Sequence, residues 1–268
     1  MKSTFLILSA AVFCSAPLCA QENYSLWPRR PAEVEQAQRL IAAHDYEQAL
    51  RLLLPFVHKS GLAGHESRRL VGAIRTRRYL SASHPRAHTH TVRRGENIER
   101  IAAAYKTSSD LLVLINAMVA PSSLKVGQKL TVFAQDLRAE LHLTTREISV
   151  WDGRELVASY DITPSQDLLT GGNAETQLRD REGELNGARI PRSSAIFTSS
   201  NRTLRLADGT CLTGSNSAPR SKVVHMARQD ANELSLLLGN GARVSIVRDE
   251  KAFDPFPATA QEPAGANK

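Results

Sequence analysis

The sequence predicts an α+β chain in three modules: a helical hairpin, a compact strand–helix–helix–strand unit, and a mostly-β domain with one late helix. Three observations carry this. Apolar residues recur at helical spacing over residues 31–80. A strand, two helical stretches and a closing strand fit within residues 89–133. From residue 137 the pattern changes to alternation broken by turn residues, and it keeps that character to residue 249.

The ends are expected to lie outside these modules. "MKSTFLILSAAVFCSAPLCAQE" has one lysine, an uncharged apolar run and small residues up to Ala20. It therefore reads as a secretory signal peptide over residues 1–20, too short for a stop-transfer span. Phe13 and Leu18 stand before Cys14 and Cys19 where a lipid-anchored cysteine wants a small residue, which argues against a lipoprotein. Cleavage after Ala20 leaves Cys211 as the single thiol, so no internal disulfide is expected. The Pro/Ala-rich residues 250–268 read as a disordered tail.

The net charge is +7, and polyanions are natural company for such a chain. Nucleic acid is the reflex reading of that charge, and an export signal argues against it. Cell-wall polymers or membrane surfaces fit better. No later run is apolar enough to span a bilayer.

In the first module, Val34, Ala37, Leu40 and Ile41 share one helical face, and Ala49, Leu50, Leu53 and Leu54 form a second set after the "HDY" turn. Pro31 opens the first helix and Pro55 lies near the end of the second. A third stretch, "HESRRLVGAIRTRRYL", is expected to carry its arginines outward. The pattern from Ala37 to Leu50, "AQRLIAAHDYEQAL", resembles a tetratricopeptide repeat. That implies either a partner-binding helix pair, one that recruits cell-wall enzymes, or a small helical cap packed on its neighbours. Residues 81–88 read as a linker running into "HTH". His84, His88 and His90 have no acidic or cysteine partner nearby in sequence, so they read as spacer and no metal or other cofactor is expected.

In the second module the opening strand is expected at residues 91–93, ended by Gly95. Ile98, Ile101, Ala102 and Tyr105 mark one helix. Ser108 or Ser109 caps a second, whose buried face is expected to be Leu111, Leu112, Leu114 and Ile115. Pro121 and Gly127 punctuate the chain before the closing "QKLTVF". The segments "TVRRGENIERIAAAY", "LLVLINA" with Asn116, and "LKVGQKLTV" together resemble the LysM family over residues 89–133. The resemblance implies a βααβ domain that binds N-acetylglucosamine-containing glycan, such as the strands of peptidoglycan, between two loops. Carried over by position, one loop is Gly95, Glu96, Asn97 and Ile98. The facing loop is Val119, Ala120, Pro121 and Ser122. Glu96-Asn97 departs from the family's usual Asp-Thr but keeps a carboxylate and a helix cap.

In the third module, Leu141 and Leu143, then Ile148 and Val150, alternate ahead of a "DGR" hairpin turn and the return strand "LVASYDI". Residues 163–187 read as a long polar loop. Short strands follow, then the helix "RQDANELSLLLGNG" and a last strand, "ARVSIV". The opening hairpin with "WDGREL" and the closing "HMARQDANELSLLLGNGARVSIV" resemble the L,D-transpeptidase catalytic domain. That family acylates a cysteine in a Ser-x-Gly-Cys-Ile/Val-Arg motif, with a histidine base on a neighbouring strand. In the register fixed by "MARQDA", the cysteine position holds Val223 and the histidine position holds Thr213.

Acyl transfer needs a nucleophile and a base within reach, and a valine side chain supplies neither. The domain therefore reads as non-catalytic. The alternative is a relocated pair, Cys211 with His225, set against the reading of Cys211 as a small buried hydrophobe. Arg220, Lys222, His225 and Arg228 form either a stem-peptide contact or a solvated basic face. The reading as a whole is an exported, periplasmic or cell-envelope, peptidoglycan-binding protein.

Overall fold

A computed structural model describes residues 31–215 and 221–250. The predicted export signal, most of the predicted tail and Arg220 fall outside those residues.

Three helices come first: α1 (Ala32–Ala42), α2 (Tyr46–Leu53) and α3 (Gly61–Tyr79). Asp45 caps α2 by accepting from the Gln48 N–H at 3.1 Å. Val34, Ala37, Ala49 and Leu53 are fully buried, whereas Leu54 is exposed. The apolar faces of these helices are completed by Trp151 and Leu156, which come from the β domain. The helical segment is thus packed as a cap on its neighbour.

This packing corrects the expectation for two arginines of α3, while Arg69, Arg77 and Arg78 are exposed as expected. Arg68 chelates Glu147 through Nε and Nη2, both at 2.7 Å, and Arg75 donates to the Leu156 carbonyl at 2.9 Å. They turn inward because the β domain offers a carboxylate and an open carbonyl there. Gly72 permits the approach, since a Cβ at that position would lie 2.6 Å from the Ser159 nitrogen.

Residues 81–88 are also better anchored than a spacer. His84 is buried, stacked on Phe133 at 4.3 Å and edge-on to Tyr79 at 4.9 Å. Burial lowers its pKa, which favours the neutral ring that stacks.

The second unit is β1 (His88–Thr91), α4 (Ile98–Ala104), α5 (Ser109–Ile115) and β2 (Lys129–Val132), with β1 antiparallel to β2. The first strand starts three residues earlier than expected, because His88 pairs with Val132. Val92, Ile98, Ile101, Ala102, Leu112, Val113, Leu130 and Val132 form the core. Leu114, expected inside, is exposed and Val113 takes its place. Asn116 joins the second helix to β2: its side chain donates to the Leu112 and Thr131 carbonyls and accepts from the Thr131 N–H at 2.7 Å.

The third unit contains β3 (Leu137–His142), β4 (Glu147–Asp152), β5 (Glu155–Pro164), β6 (Ala174–Leu185), β7 (Ala188–Ile190), β8 (Asn201–Leu206), β9 (Cys211–Thr213), β10 (Val223–Met226), α6 (Arg228–Leu237) and β11 (Arg243–Val247). The strand order is β11-β3-β4-β5-β10-β9-β8-β6-β7. Because β11 also pairs with β6, the circuit from β11 to β6 closes into a barrel, with β7 on the far end of β6. Residues 174–185, read from sequence as loop, form a long strand of this wall. Leu141, Ile148, Val150, Leu178, Leu204, Leu212 and Val224 belong to the core that fills it.

The second and third units are joined by buried charge. Asp110, at the start of α5, accepts from Arg202 at 3.1 Å and lies 3.8 Å from Arg181. Arg181 also donates to the Ser108 hydroxyl and to the Ser235 and Leu238 carbonyls. Burial draws the Arg202 pKa down to about 10, and Asp110 opposes that shift.

Candidate functional site

The first loop of the βααβ unit is shaped by Gly95, whose φ of +85° suits glycine, and by two polar side chains. Glu96 accepts from the Arg93 N–H at 2.7 Å and from His90 at 3.1 Å. Those bonds, the Arg93 N–H first, hold its carboxyl below the usual range. Asn97 accepts from the Arg100 N–H at 2.8 Å and caps α4. Ile98 is fully buried in the core, so its side chain supports the loop from beneath and only its backbone is left for recognition.

The second loop is open. Val119 is 78% exposed, Ala120 and Pro121 are partly exposed, and Ser122 is exposed. A 3₁₀ turn over Pro121–Ser123 fixes its backbone. Val126, which the sequence reading passed over, is 69% exposed. Its neighbour Gly127 donates to the Val92 carbonyl at 2.8 Å, bringing this turn to the base of the first loop. The available signal was an apolar residue at a glycine turn with no periodic partner. Two valines open to solvent beside polar loop atoms suit a ligand with apolar faces and hydrogen-bonding edges.

The three linker histidines serve separate structural contacts. His90 bridges Glu96 and Tyr105, and His88 lies against the Arg86 carbonyl and edge-on to Tyr105. Among the described residues, no group of three or more His, Cys, Asp or Glu could hold a metal ion.

In the β domain, β9 and β10 run parallel, with Cys211 opposite Val223 and Thr213 opposite His225. All four side chains therefore point to the same face, away from the core held by Leu212 and Val224. Cys211 is nevertheless only 1% exposed, and His225 is open to solvent. The thiol's contacts run to Arg205 at 3.3 Å and to the Gly209 carbonyl, not to His225. Burial raises the thiol pKa, and the Arg205 guanidinium only partly offsets it.

The Thr213 hydroxyl is bonded to Thr203 at 2.8 Å and accepts from the Ser215 N–H, so it is occupied in joining strand to loop. Of the predicted basic face, Lys222, His225 and Arg228 are exposed. Lys222 donates to the Asp208 carbonyl and Arg228 to the Ser199 carbonyl.

Residues 90–133 match the LysM domain model. Comparison with curated proteins gives no match. Among solved structures, an L,D-transpeptidase from Xylanimonas cellulosilytica is similar at 12% identity and a TM-score of 0.33, covering 82% of this chain and 96% of that one. L,D-transpeptidase 1 of Mycobacterium tuberculosis is similar at 7% identity and a TM-score of 0.32, covering 46% of this chain and 67% of that one. The L,D-transpeptidase of Mycobacterium smegmatis gives 8% and 0.30, with 45% of this chain matched to 63% of that one, so under two thirds of its length is spanned. These are partial likenesses. No helix among the described residues is long and apolar enough to cross a membrane. Residues 90–133 of this chain are thus similar to LysM domains, and they are set between a helical segment and a closed β domain.

Proposed function

We propose that this protein is an exported peptidoglycan-binding protein. Its LysM domain holds N-acetylglucosamine-containing glycan between the loop at residues 95–98 and the loop at residues 119–122. The observation that carries the reading is the LysM match over a domain whose second loop leaves Val119 and its neighbours open to solvent. The β domain acts without acyl transfer, as a rigid partner that docks stem peptides or a cell-wall enzyme. Three features support this: a hydrocarbon at Val223, a structurally committed Thr213 hydroxyl, and a buried Cys211 whose thiol is pushed up.

Retention on purified peptidoglycan sacculi tests the glycan reading. Gly95→Val, strained at its positive φ, and Val119→Asp, which places charge on the open patch, are each expected to abolish retention while the folded far-ultraviolet spectrum persists. If the parent protein does not bind, or both variants bind as it does, the proposal is removed.

A further inference from the structure

A cleft of about 520 Å³ lies outside both sites described above, between α3, β5 and α6. That is within the range of small-ligand sites, roughly 300–1,000 Å³. Leu70, Ala73 and Leu80 give the α3 wall an apolar strip, and Tyr160 forms part of the floor.

The charges are arranged unevenly. Arg69 is matched to Asp161 at 2.8 Å, and Glu233 accepts from Gln229 at 3.0 Å and from the Tyr160 hydroxyl at 3.4 Å. Glu66 is a further acidic group of the lining, and among the described residues neither Arg77 nor Asp230 makes an ion pair, although the Arg69 charge acts on Asp230. Arg77 stands on the α3 wall, and half-buried Asp230 stands on the α6 wall beside Glu233. Burial and the Glu233 charge raise the Asp230 pKa and Arg69 only partly offsets them, so an incoming cation would stabilise its ionised form. Opposite unmatched charges on the two walls, with apolar surface between them, fit a small molecule that carries both signs.

We infer that this cleft binds a free amino acid or a very short peptide with both termini free, with the ammonium at Asp230 and Glu233 and the carboxylate at Arg77. The site is independent of the glycan loops.

The probe is the dipeptide alanyl-alanine, titrated calorimetrically into the whole protein alongside its N-acetyl and C-terminal amide forms. The unmodified dipeptide is expected to bind, with each modification weakening it about tenfold, the order expected for losing one charge-assisted contact. Asp230→Asn removes the penalty for N-acetylation only, and Arg77→Gln removes the penalty for amidation only. Both positions are solvent-accessible, so the fold is expected to survive. Gly95→Val leaves all three titrations unchanged, which separates this result from failure of the glycan proposal. No binding of the parent dipeptide, equal binding of the three forms, or variants that discriminate as the parent does would each overturn the inference.

Discussion

Replacing Glu147 by Gln tests how the helical cap is fastened to the barrel. The carboxylate is 1% exposed and is held by both nitrogens of the Arg68 fork, by His65 at 3.0 Å and by the Ser159 hydroxyl at 2.6 Å. Burial alone would raise its pKa, but the bonds from His65 and Arg68 outweigh that and bring it to about 2 from the ordinary 4.5. Such a depression corresponds to about 3 kcal/mol of stability at neutral pH.

Because the folded pKa is the lower one, this stability is fully present above pH 4.5 and is lost as pH falls toward 2. At pH 3 about half should remain. The glutamine keeps the shape but leaves the Arg68 cation with a neutral partner, so Glu147→Gln is expected to cost about 3 kcal/mol at pH 7 and about half of that at pH 3. Urea unfolding followed by tryptophan fluorescence reads it directly, since Trp151 lies buried at this junction. A loss below about 1 kcal/mol at pH 7, or one that does not shrink between pH 7 and pH 3, would refute the assignment.

Two further expectations concern the other buried groups. Asp110→Asn leaves two buried guanidinium groups without their shared carboxylate and should destabilise the protein by about 3–5 kcal/mol. Limited proteolysis should then cut more readily between the LysM and β domains, and an unchanged cleavage pattern with unchanged stability would contradict the latch. Cys211 should react with a thiol reagent only as the protein unfolds, at a rate that rises with urea and, in its absence, stays slow and climbs with pH between about 6 and 8 as the thiolate fraction grows. Fast labelling of the native protein would mean that the thiol is exposed and activated.

The LysM-like unit was legible because its signals are local: a glycine at a strand end, a capping asparagine, a capping serine three residues ahead of a leucine pair, and an asparagine that bridges helix to strand. The β4–β5 hairpin was legible for the same reason. Strand β6 was not, since "AETQLRDREGEL" shows no apolar alternation. One of its inward positions is filled by Arg181, which is acceptable inside only because Asp110, far earlier in the chain, lies within 3.8 Å. The same reason hid Arg68 and His84. Each is a polar residue whose burial depends on a partner far along the chain, and no local window reveals that partner. The loop residues at 95–98 and 119–122 could be located from sequence, but the burial of Ile98 and the openness of Val126 could not.

Strand β11 lies parallel to β3 and antiparallel to β6, and it joins the two edges of the wall. Since β3 opens the domain and β11 closes it, the seam cannot form until more than a hundred intervening positions have been laid down, from Leu137 to Arg243. A nascent or partly threaded chain therefore presents two raw sheet margins for as long as its last strand is missing, and assembly is set by a single long-distance zippering event.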